Sequence, residues 1–486
     1  MKTPLKRCLP RIAVTAAAAI LAAMMSGGAA AQTIDDALAA AYRSNPQLLS
    51  ARAQLRALDE GVPAALSGWR PTVTLNGSLG KAYDTTRSRS NSTPGPGYTT
   101  TILDRYRTPD SASLQITQPL YRGGQTVAAV SQAENNVEAG RASLVSTEQQ
   151  VLLQAATAYA NLLRDQATLD LSINNEQVLR AQLDQTQNQF EVGQVTRTDV
   201  AQAEARLEQG VAARIQAEGN LASSRAAYEQ VIGEPAPVRV SPPHLPPTLP
   251  TTEAQVRKEI ANNPDVITAR YNEKAATDAV DTFLGQKLPQ VNLTGILQRN
   301  TESGGGVSRG QQLDDASVAV TVTLPLYQAG LVDAQARQAK QTAGQRRIDI
   351  QTQQRSTEAT AIQNWDQLSS ARAQIASFQA QVRAAEIALE GIQQEQRVGL
   401  RTVIEVLNAE QDLFSARVSL VSSQRDEVVF AYQLSASVGQ LLARNLNLSV
   451  EIYDPVSHYN ESRGRWFGTN VDDPQARGKT LTPGSQ

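Results

Sequence analysis

Cysteine, histidine and aromatic side chains are scarce in this chain, and each scarcity excludes a class of function. The 486 residues include one cysteine, two histidines and 4% aromatic residues. Cys8 lies near the amino terminus, so the remainder of the chain has no disulfide and no thiol chemistry. His244 and His458 accompany neither a nucleophile nor a cluster of ligand residues, which argues against a catalytic triad and a metal site. The sequence therefore predicts neither an enzyme nor a cofactor.

A dominant charge and a membrane-length apolar helix are also missing. Lysine and arginine number 45 against 47 aspartate and glutamate, for a formal net charge of −2, so no broad basic surface is available for nucleic acid. Beyond the amino terminus no segment reaches the roughly eighteen consecutive apolar residues of a membrane helix, which excludes a helical inner-membrane protein. Alanine and glutamine are abundant, and this composition favours long helices over several compact domains.

The first 31 residues predict the compartment. A basic stretch at 2–11, an apolar run at 12–25 and three alanines at 29–31 before Gln32 have the order of a secretory signal peptide. A membrane anchor is the alternative interpretation, but the apolar run is too short to span a bilayer. Cys8 precedes this run, so it is not placed at a lipid-modified cleavage site. We expect residues 1–31 to be a signal peptide.

The most informative pattern is an internal duplication. Pairs separated by 218 positions are Asn45 and Asn263, Pro46 and Pro264, Arg52 and Arg270, Pro71 and Pro289, and Gly77 and Gly295. Pairs separated by 206 positions are Pro119 and Pro325, Tyr121 and Tyr327, Gly193 and Gly399, Thr196 and Thr402, Leu207 and Leu413, and Gly233 and Gly439. The separation changes once, so one deletion in one loop accounts for all pairs. We predict repeats at 32–232 and 251–446, a proline-rich linker at 233–250, and a mobile tail at 447–486.

Each copy predicts two strands. Alternating, β-branched segments at 71–79 and 111–120 recur at 289–298 and 316–326, as expected of half-buried strands. Polar segments at 85–110 and 301–314 predict the connecting loops. Strands of this length suit a membrane, but four cannot close a barrel, and open edges in lipid leave backbone groups unpaired. Two chains would give eight strands and three would give twelve, enough for a water-filled lumen; a soluble hairpin on a coiled coil is the alternative.

Each copy also predicts two long helices. Proline is absent from 124–234 and from 330 to the end of the second repeat, and the helical pattern breaks only at the glycines 193 and 399. About 65 helical residues reach roughly 100 Å. Apolar residues spaced by sevens predict a coiled-coil seam: Val200, Leu207, Leu221, Tyr228, Val406, Leu413, Leu420, Leu434 and Leu441. Arg214 and Glu427 interrupt the seam, as polar residues do where register must be fixed.

Taken together, these motifs resemble the TolC-like outer-membrane efflux family, and within it the type I secretion branch. The resemblance covers about 32–446 and rests on the duplicated Asn-Pro, the strand end at 118–121 with its following glycines, and the turns at 192–200 and 398–406. It implies a mainly α protein with membrane β, built from two tandem strand–strand–helix–helix repeats. Four strands per chain would contribute to a trimeric twelve-stranded β-barrel that continues into a coiled-coil α-barrel.

The resemblance also implies a function and partners. It predicts a passive exit duct in the outer membrane of a Gram-negative cell, extending into the periplasm and surrounded by outer-membrane lipid. A homotrimer would work with a periplasmic adaptor (membrane fusion) protein and an inner-membrane transporter. Both an ABC exporter for type I protein secretion and a proton-driven multidrug pump fit the sequence.

The two helical turns are the candidate functional sites. A glycine can end a helix in the left-handed conformation, and a threonine three residues on can cap the next helix with an acidic residue near its positive end. By resemblance, the same turns would contact the adaptor. The predicted adaptor-docking residues are Val192, Gly193, Thr196, Val398, Gly399 and Thr402.

The resemblance also implies a gate at these turns. Arg401 would bond near Thr198 and Asp199 and hold one helical hairpin against the other, although Gln396 stands where the family has a tyrosine partner. Glu405 matches one acidic residue of a luminal ring, and Asn408 replaces the second. We therefore expect a gate with one acidic ring and a weakened cation preference.

Two other classes of protein also use long helical hairpins. A periplasmic adaptor has one hairpin between two halves of a small β module, whereas this chain has two complete strand–strand–helix–helix units. A structural coiled-coil scaffold has no need of paired alternating strands. The duplication and the strands together favour the channel.

Overall fold

The computed structural model describes residues 32–90, 98–304 and 311–471. The predicted signal peptide at 1–31 lies outside the described residues, as do 91–97, 305–310 and 472–486 of the predicted loops and tail. The helices are α1 (Ile34–Ser44), α2 (Pro46–Asp59), α3 (Gly61–Leu66), α4 (Gln125–Glu191), α5 (Arg197–Ile232), α6 (Glu253–Glu259), α7 (Pro264–Gly285), α8 (Leu331–Arg397), α9 (Val403–Ser437) and α10 (Ser457–Arg463). The strands are β1 (Thr72–Leu79), β2 (Ala82–Ser90), β3 (Thr99–Arg122), β4 (Gln290–Gly304) and β5 (Gln311–Thr323).

The chain divides into two compact units, each built from three segments. One contains the described parts of Met1–Ala51, Leu144–Val266 and Gln354–Tyr453; we call it the helical-tip unit. The other contains Arg52–Ser143, Ile267–Gln353 and the described part of Asp454–Gln486; we call it the strand unit. The long helices α4 and α8 have 67 residues each, as the proline-free stretches predict. Among the described residues, no helix combines the length and the apolar character needed to cross a membrane.

The duplicated Asn-Pro at the start of each copy makes the same contact twice. Both asparagines are buried. Asn45 donates its Nδ2–H to the carbonyl oxygen of Val231 at 2.9 Å, and Asn263 donates to that of Ser437 at 2.9 Å. In both copies the asparagine Oδ1 also accepts the backbone N–H two residues on. The repeat thus preserves a structural tie between the first helices of each copy and the end of its returning helix.

The predicted seam of α5 and α9 is buried where it meets the helix before it. Side chains with almost no exposure are Leu221, Tyr228, Val406, Leu413 and Leu434. The two polar interruptions each pair with the partner helix of their own hairpin: Arg214 Nε lies 2.5 Å from Glu176 Oε2, and Arg372 Nε lies 3.1 Å from Glu427 Oε1. Both pairs are made only when the two helices of the hairpin lie in this register, so they favour it.

The sheet is antiparallel, in the order β1–β3–β4–β5, with β2 pairing the other half of β3. β1 and β2 keep one register along β3, so they act as a single strand interrupted at residues 80–81. The prediction of four strands per chain is confirmed. The predicted loops are wrong in part, because strand pairing extends to Ser90 and resumes at Thr99 in the first copy, and extends to Gly304 in the second.

The sheet has one apolar and one polar face. Directly paired residues lie on the same face, and the apolar face carries Val73, Leu75, Leu114, Ile116, Leu293, Leu297, Val318, Val320 and Val322. The opposite face carries Thr74, Asn76, Ser113, Gln115, Thr294 and Thr321. Several of the apolar side chains are more than half exposed in this chain. An uncovered apolar face of this kind suits contact with lipid.

The tail differs from its prediction. The sequence pattern predicts no helix after about residue 446, but residues 457–463 form α10 in the strand unit. His458 Nδ1 lies 2.9 Å from the buried Asp59 Oδ2, and Arg463 lies 2.9 Å from Glu134. These two contacts hold the helix in place although its own sequence is too short and polar to favour one. The mobility of the tail stays a prediction.

Candidate gate and docking turns

Both helical turns have the same backbone. Gly193 has a φ of +75° and Gly399 a φ of +81°. In each turn the glycine N–H donates to the carbonyl three residues back, and the next N–H donates to the carbonyl five residues back, at 2.9 to 3.0 Å. This pair of bonds is the Schellman motif, which needs a left-handed residue after the helix. A side chain at either glycine would be strained by its backbone conformation, although open space surrounds the position.

The threonines cap the helices that follow, as predicted. Thr196 donates its N–H and its hydroxyl to Asp199 Oδ2 at 2.8 and 2.7 Å. Thr402 donates the same two groups to Glu405 Oε2 at 2.8 and 2.9 Å. The bond from the Thr402 N–H, together with bonds from Arg401 and the Thr402 hydroxyl, lowers the pKa of Glu405 to about 2. Glu405 is therefore ionised at neutral pH and is engaged at the start of α9.

Arg401 binds partners other than those predicted. Its Nε lies 2.7 Å from Glu395 Oε2 and its Nη1 lies 2.7 Å from Glu405 Oε1. Within the described residues of this chain Arg401 bonds to Glu395 and Glu405 and not to Thr198 or Asp199, and the predicted gate contact stays a prediction. The reason is local: two carboxylates of the same turn flank Arg401, while Asp199 serves as the capping partner of its own helix. These bonds raise the pKa of Arg401 above its ordinary value.

A buried apolar cluster joins the two hairpins. It comprises Leu179, Leu183, Ala203, Val403 and Leu407, with the half-buried Val195, Val200 and Leu207 packed against it. Leu407 of α9 is only 1% exposed and thus enters a pocket formed by both helices of the first hairpin. Burial of a leucine side chain contributes about 1.5–3 kcal/mol. The cluster is therefore a stabilising apolar contact between the hairpins.

A polar bond adds to this contact. Arg206 Nη2 donates to Asn408 Oδ1 at 2.9 Å, joining α5 to α9. Sequence reasoning noted Asn408 only as a lost acidic residue and missed Arg206 altogether. The duplication gives no signal for Arg206, since the equivalent position in the second copy is Asp412. Asn408 is thus an acceptor that links the hairpins.

The predicted docking turns expose apolar side chains. Val192 and Val398 are 70% and 71% exposed, and Leu400 between the second glycine and Arg401 is 76% exposed. Exposed apolar groups at a turn fixed by glycine and threonine form a rigid surface for another helix tip. Whether an adaptor occupies it stays a prediction.

The two histidines occupy structural pairs. His244 Nε2 lies 2.9 Å from Asp35 Oδ2, and this bond raises the pKa of His244. His458 pairs with Asp59 in the strand unit. Across residues 32–90, 98–304 and 311–471 no group of three or more His, Cys, Asp and Glu side chains is arranged to hold a metal ion.

Comparisons with known proteins agree with this architecture. The sequence profile of the outer membrane efflux protein family matches residues 37–234 and 256–440. The outer membrane efflux protein BepC of Brucella suis biovar 1 is 35% identical over 451 residues, which cover 91% of this chain and 93% of the relative. The alkaline protease secretion protein AprF of Pseudomonas aeruginosa is 26% identical, over 62% of this chain and 64% of the relative.

Solved structures show the same fold at low sequence identity. The Campylobacter jejuni CmeC outer membrane channel has a TM-score of 0.70 at 15% identity, with 89% of each chain covered. The Vibrio cholerae outer membrane protein VceC has a TM-score of 0.66 at 22% identity, covering 84% of this chain and 96% of that one. The predicted fold class, outer-membrane location and export role are confirmed. This chain belongs to the outer membrane efflux protein family and is an outer-membrane export channel that extends into the periplasm.

Proposed function

We propose that the protein is the homotrimeric exit duct of a tripartite export system, closed at its helical tips until a partner opens it. The sheet carries this proposal. Its four strands have β1 and β5 at the two ends of the strand order, and one face is apolar. Edge strands in lipid need partners. Three chains would supply twelve strands, enough to enclose water.

The partners follow from the duct. A periplasmic adaptor would dock on the turns that contain Val192, Gly193, Thr196, Val398, Gly399 and Thr402, and an inner-membrane pump would supply the energy. The name of AprF refers to protease secretion and that of BepC to efflux. We propose that the duct serves protein secretion, drug efflux or both, with specificity residing in the pump. The protein itself would carry out no enzymatic step.

In the proposed gate, the apolar cluster around Leu407 and the Arg206–Asn408 bond hold the hairpins together. Arg401 contributes charge, with Glu395 and Glu405 as its partners in place of Thr198 and Asp199. Because Arg401 pairs with both Glu395 and Glu405, it offsets one of their two charges and would weaken the cation preference of the closed tip. Opening would then require an adaptor that replaces the contacts of the apolar cluster.

The test is extraction of the full chain from outer membranes. We expect a complex of three chains that survives gel electrophoresis unheated, dissociates on heating, and forms small, stable channels in planar bilayers. A protein that salt washes from the membrane as a monomer, or a purified trimer that conducts no ions, would overturn the proposal.

A further inference from the structure

We propose that Trp466 and Phe467, after α10, anchor the carboxyl-terminal segment in the phospholipid interface of the outer membrane. Trp466 is 58% exposed and Phe467 is 88% exposed. Their ring centroids lie 6.4 Å apart. Two adjacent exposed aromatic rings are disfavoured in water and favoured at a membrane interface, where tryptophan and other aromatic side chains concentrate.

The pair is fixed to the end of the sheet. Arg70, two residues before β1, donates its Nη1–H to the carbonyl oxygen of Arg465 at 2.8 Å. Its guanidinium also lies 4.8 Å from the centre of the Trp466 ring. The neighbouring Trp69 carbonyl accepts a hydrogen bond from Gln118 of β3 at 2.8 Å. The aromatic pair therefore has a defined place beside the first strand.

That end of the sheet has the side chains of a membrane boundary. Trp69, Tyr121 and Tyr327 are exposed there. At the far end of the same sheet Tyr83 and Tyr106 pair across β2 and β3, with ring centroids 4.8 Å apart.

The apolar part of the sheet begins beside this end. Val73 and Leu75 of β1 lie on the apolar face directly after it, and the charged pair Arg299–Asp314 lies farther along the same face. Trp466 and Phe467 thus lie at the end where β1 begins and the apolar part of the face starts, the level at which a barrel in a membrane meets the lipid headgroups.

The helix before the pair holds it in place. The guanidinium of Arg141 lies over the ring of Tyr459 of α10, 5.0 Å from the ring centre. Arg463 pairs with Glu134 of α4 at 2.9 Å. After the pair, Arg465 Nη1 donates to the carbonyl oxygen of Asn470 at 3.0 Å and closes a loop around the two rings. The segment is therefore presented to the lipid by its own contacts, and its partner is the phospholipid interface.

The test is tryptophan fluorescence of the full-length protein in phospholipid vesicles with bromine on the acyl chains near the headgroup. The chain has three tryptophans, so Trp69→Phe with Trp365→Phe leaves only Trp466. We expect this emission to shift to shorter wavelength and to be quenched by the brominated lipid. The matched control is Trp69→Phe with Trp466→Phe, which leaves Trp365 beside a buried cluster in the helical-tip unit. Its emission should be equal in vesicles with and without bromine.

A second pair of variants tests the anchor without altering the fold. Phe467→Asp should reduce the quenching of Trp466, because a charge is excluded from the interface; Val238→Asp, at an exposed apolar position of the helical-tip unit, should leave it unchanged. If the emission of Trp466 is not quenched in an intact protein, the proposal is overturned. This includes the case in which a second copy of the chain shields Trp466 from lipid. Leu75→Trp in the tryptophan-free background reports separately on the sheet in lipid, so failure of the anchor and failure of the barrel are distinguishable.

Discussion

The two helical turns share a backbone and differ in chemistry. Both have a left-handed glycine and a threonine cap. The position occupied by Arg401 in the second turn is Val195 in the first. Val195 packs against the apolar cluster between the hairpins, whereas Arg401 is partly exposed and paired with two glutamates. Duplication has therefore kept the parts that shape the turn and changed the part that decides what it contacts.

This difference separates strong from weak contacts in the proposed gate. Buried leucine and valine side chains contribute through the loss of apolar surface, and salt does not screen that contribution. Exposed ion pairs contribute little and weaken with salt. The apolar cluster, to which both hairpins contribute, thus supplies most of the attachment, and the charges around Arg401 tune it.

The largest effect on export should come from replacing the left-handed glycine that each turn contains. Gly399→Val puts a β-branched residue at positive φ, where the left-handed conformation costs roughly 1–2 kcal/mol, and it should rearrange the exposed turn. We expect export to be lost while trimers remain in the outer membrane, measured by antibiotic susceptibility and unheated gels. Gly391→Ala, within α8 with open space around it, is the control. Normal export by both Gly193→Val and Gly399→Val would show that the turns are not docking sites.

Next in size is the loss of the buried contact between the hairpins. Leu407→Ala should destabilise the closed arrangement by about 2–5 kcal/mol. We expect a larger single-channel conductance in planar bilayers and entry of large antibiotics into cells. Leu400→Ala, which removes an exposed leucine of the same turn, should conduct like the unaltered protein. Equal conductance of the two variants would contradict the importance assigned to the apolar cluster.

A smaller effect is expected at the hydrogen bond between α5 and α9. Arg206→Ala and Asn408→Ala should each weaken closure by about 0.5–1.5 kcal/mol, and the double variant should be no worse than either single one. Asn408→Asp would turn the bond into an ion pair and should reduce conductance. Additive effects of the two alanine variants, measured by channel conductance, would mean that the side chains do not interact.

The smallest effect should be that of Arg401. Arg401→Ser should raise conductance only modestly, and it should increase cation preference because Glu395 and Glu405 lose their compensating charge. Reversal potentials in a salt gradient measure this preference. Glu405→Ala should have the opposite effect and reduce the cation preference. A conductance increase as large as that of Leu407→Ala would place the lock at Arg401.

The pH dependence of closure follows from Glu405. The pKa of Glu405 lies at about 2, below its ordinary value of 4.5. A depressed pKa means that the ionised carboxylate stabilises the folded tip above pH 4.5, and that this contribution is lost as the pH falls towards 2. Conductance should therefore be constant from neutral pH to about 5 and rise at lower pH.

Much of this structure could be predicted because its signals are local or periodic. Glycine and threonine at fixed spacing specify the turns, and the seven-residue spacing identifies the seam of α5 and α9. Strand ends were underestimated because the Ser- and Thr-rich sequence from Thr85 onwards is typical of a loop, while cross-strand pairing extends the strand through it. In the same segment Thr85 donates its hydroxyl to Asp104 at 2.7 Å.

The gate contacts could not be predicted because they depend on which side chains come together in space. The sequence shows that Arg401 has several acidic residues within reach, but the choice of Glu395 over Asp199 depends on the direction of the turn. Arg206 and Asn408 are 202 positions apart, and no repeat or spacing links them. The tail helix is similar, since Asp59 and Glu134 lie far from it in sequence.

The asparagine ties have a consequence for how the chain can be rearranged. Asn45 and Val231 belong to the first copy, and Asn263 and Ser437 belong to the second. Each copy thus brings its own beginning and end together, and the polypeptide passes from one copy to the other only through 233–250. Chains whose ends meet tolerate new termini. The two copies should be separable into two co-expressed polypeptides, or reordered by circular permutation, with both turns retained.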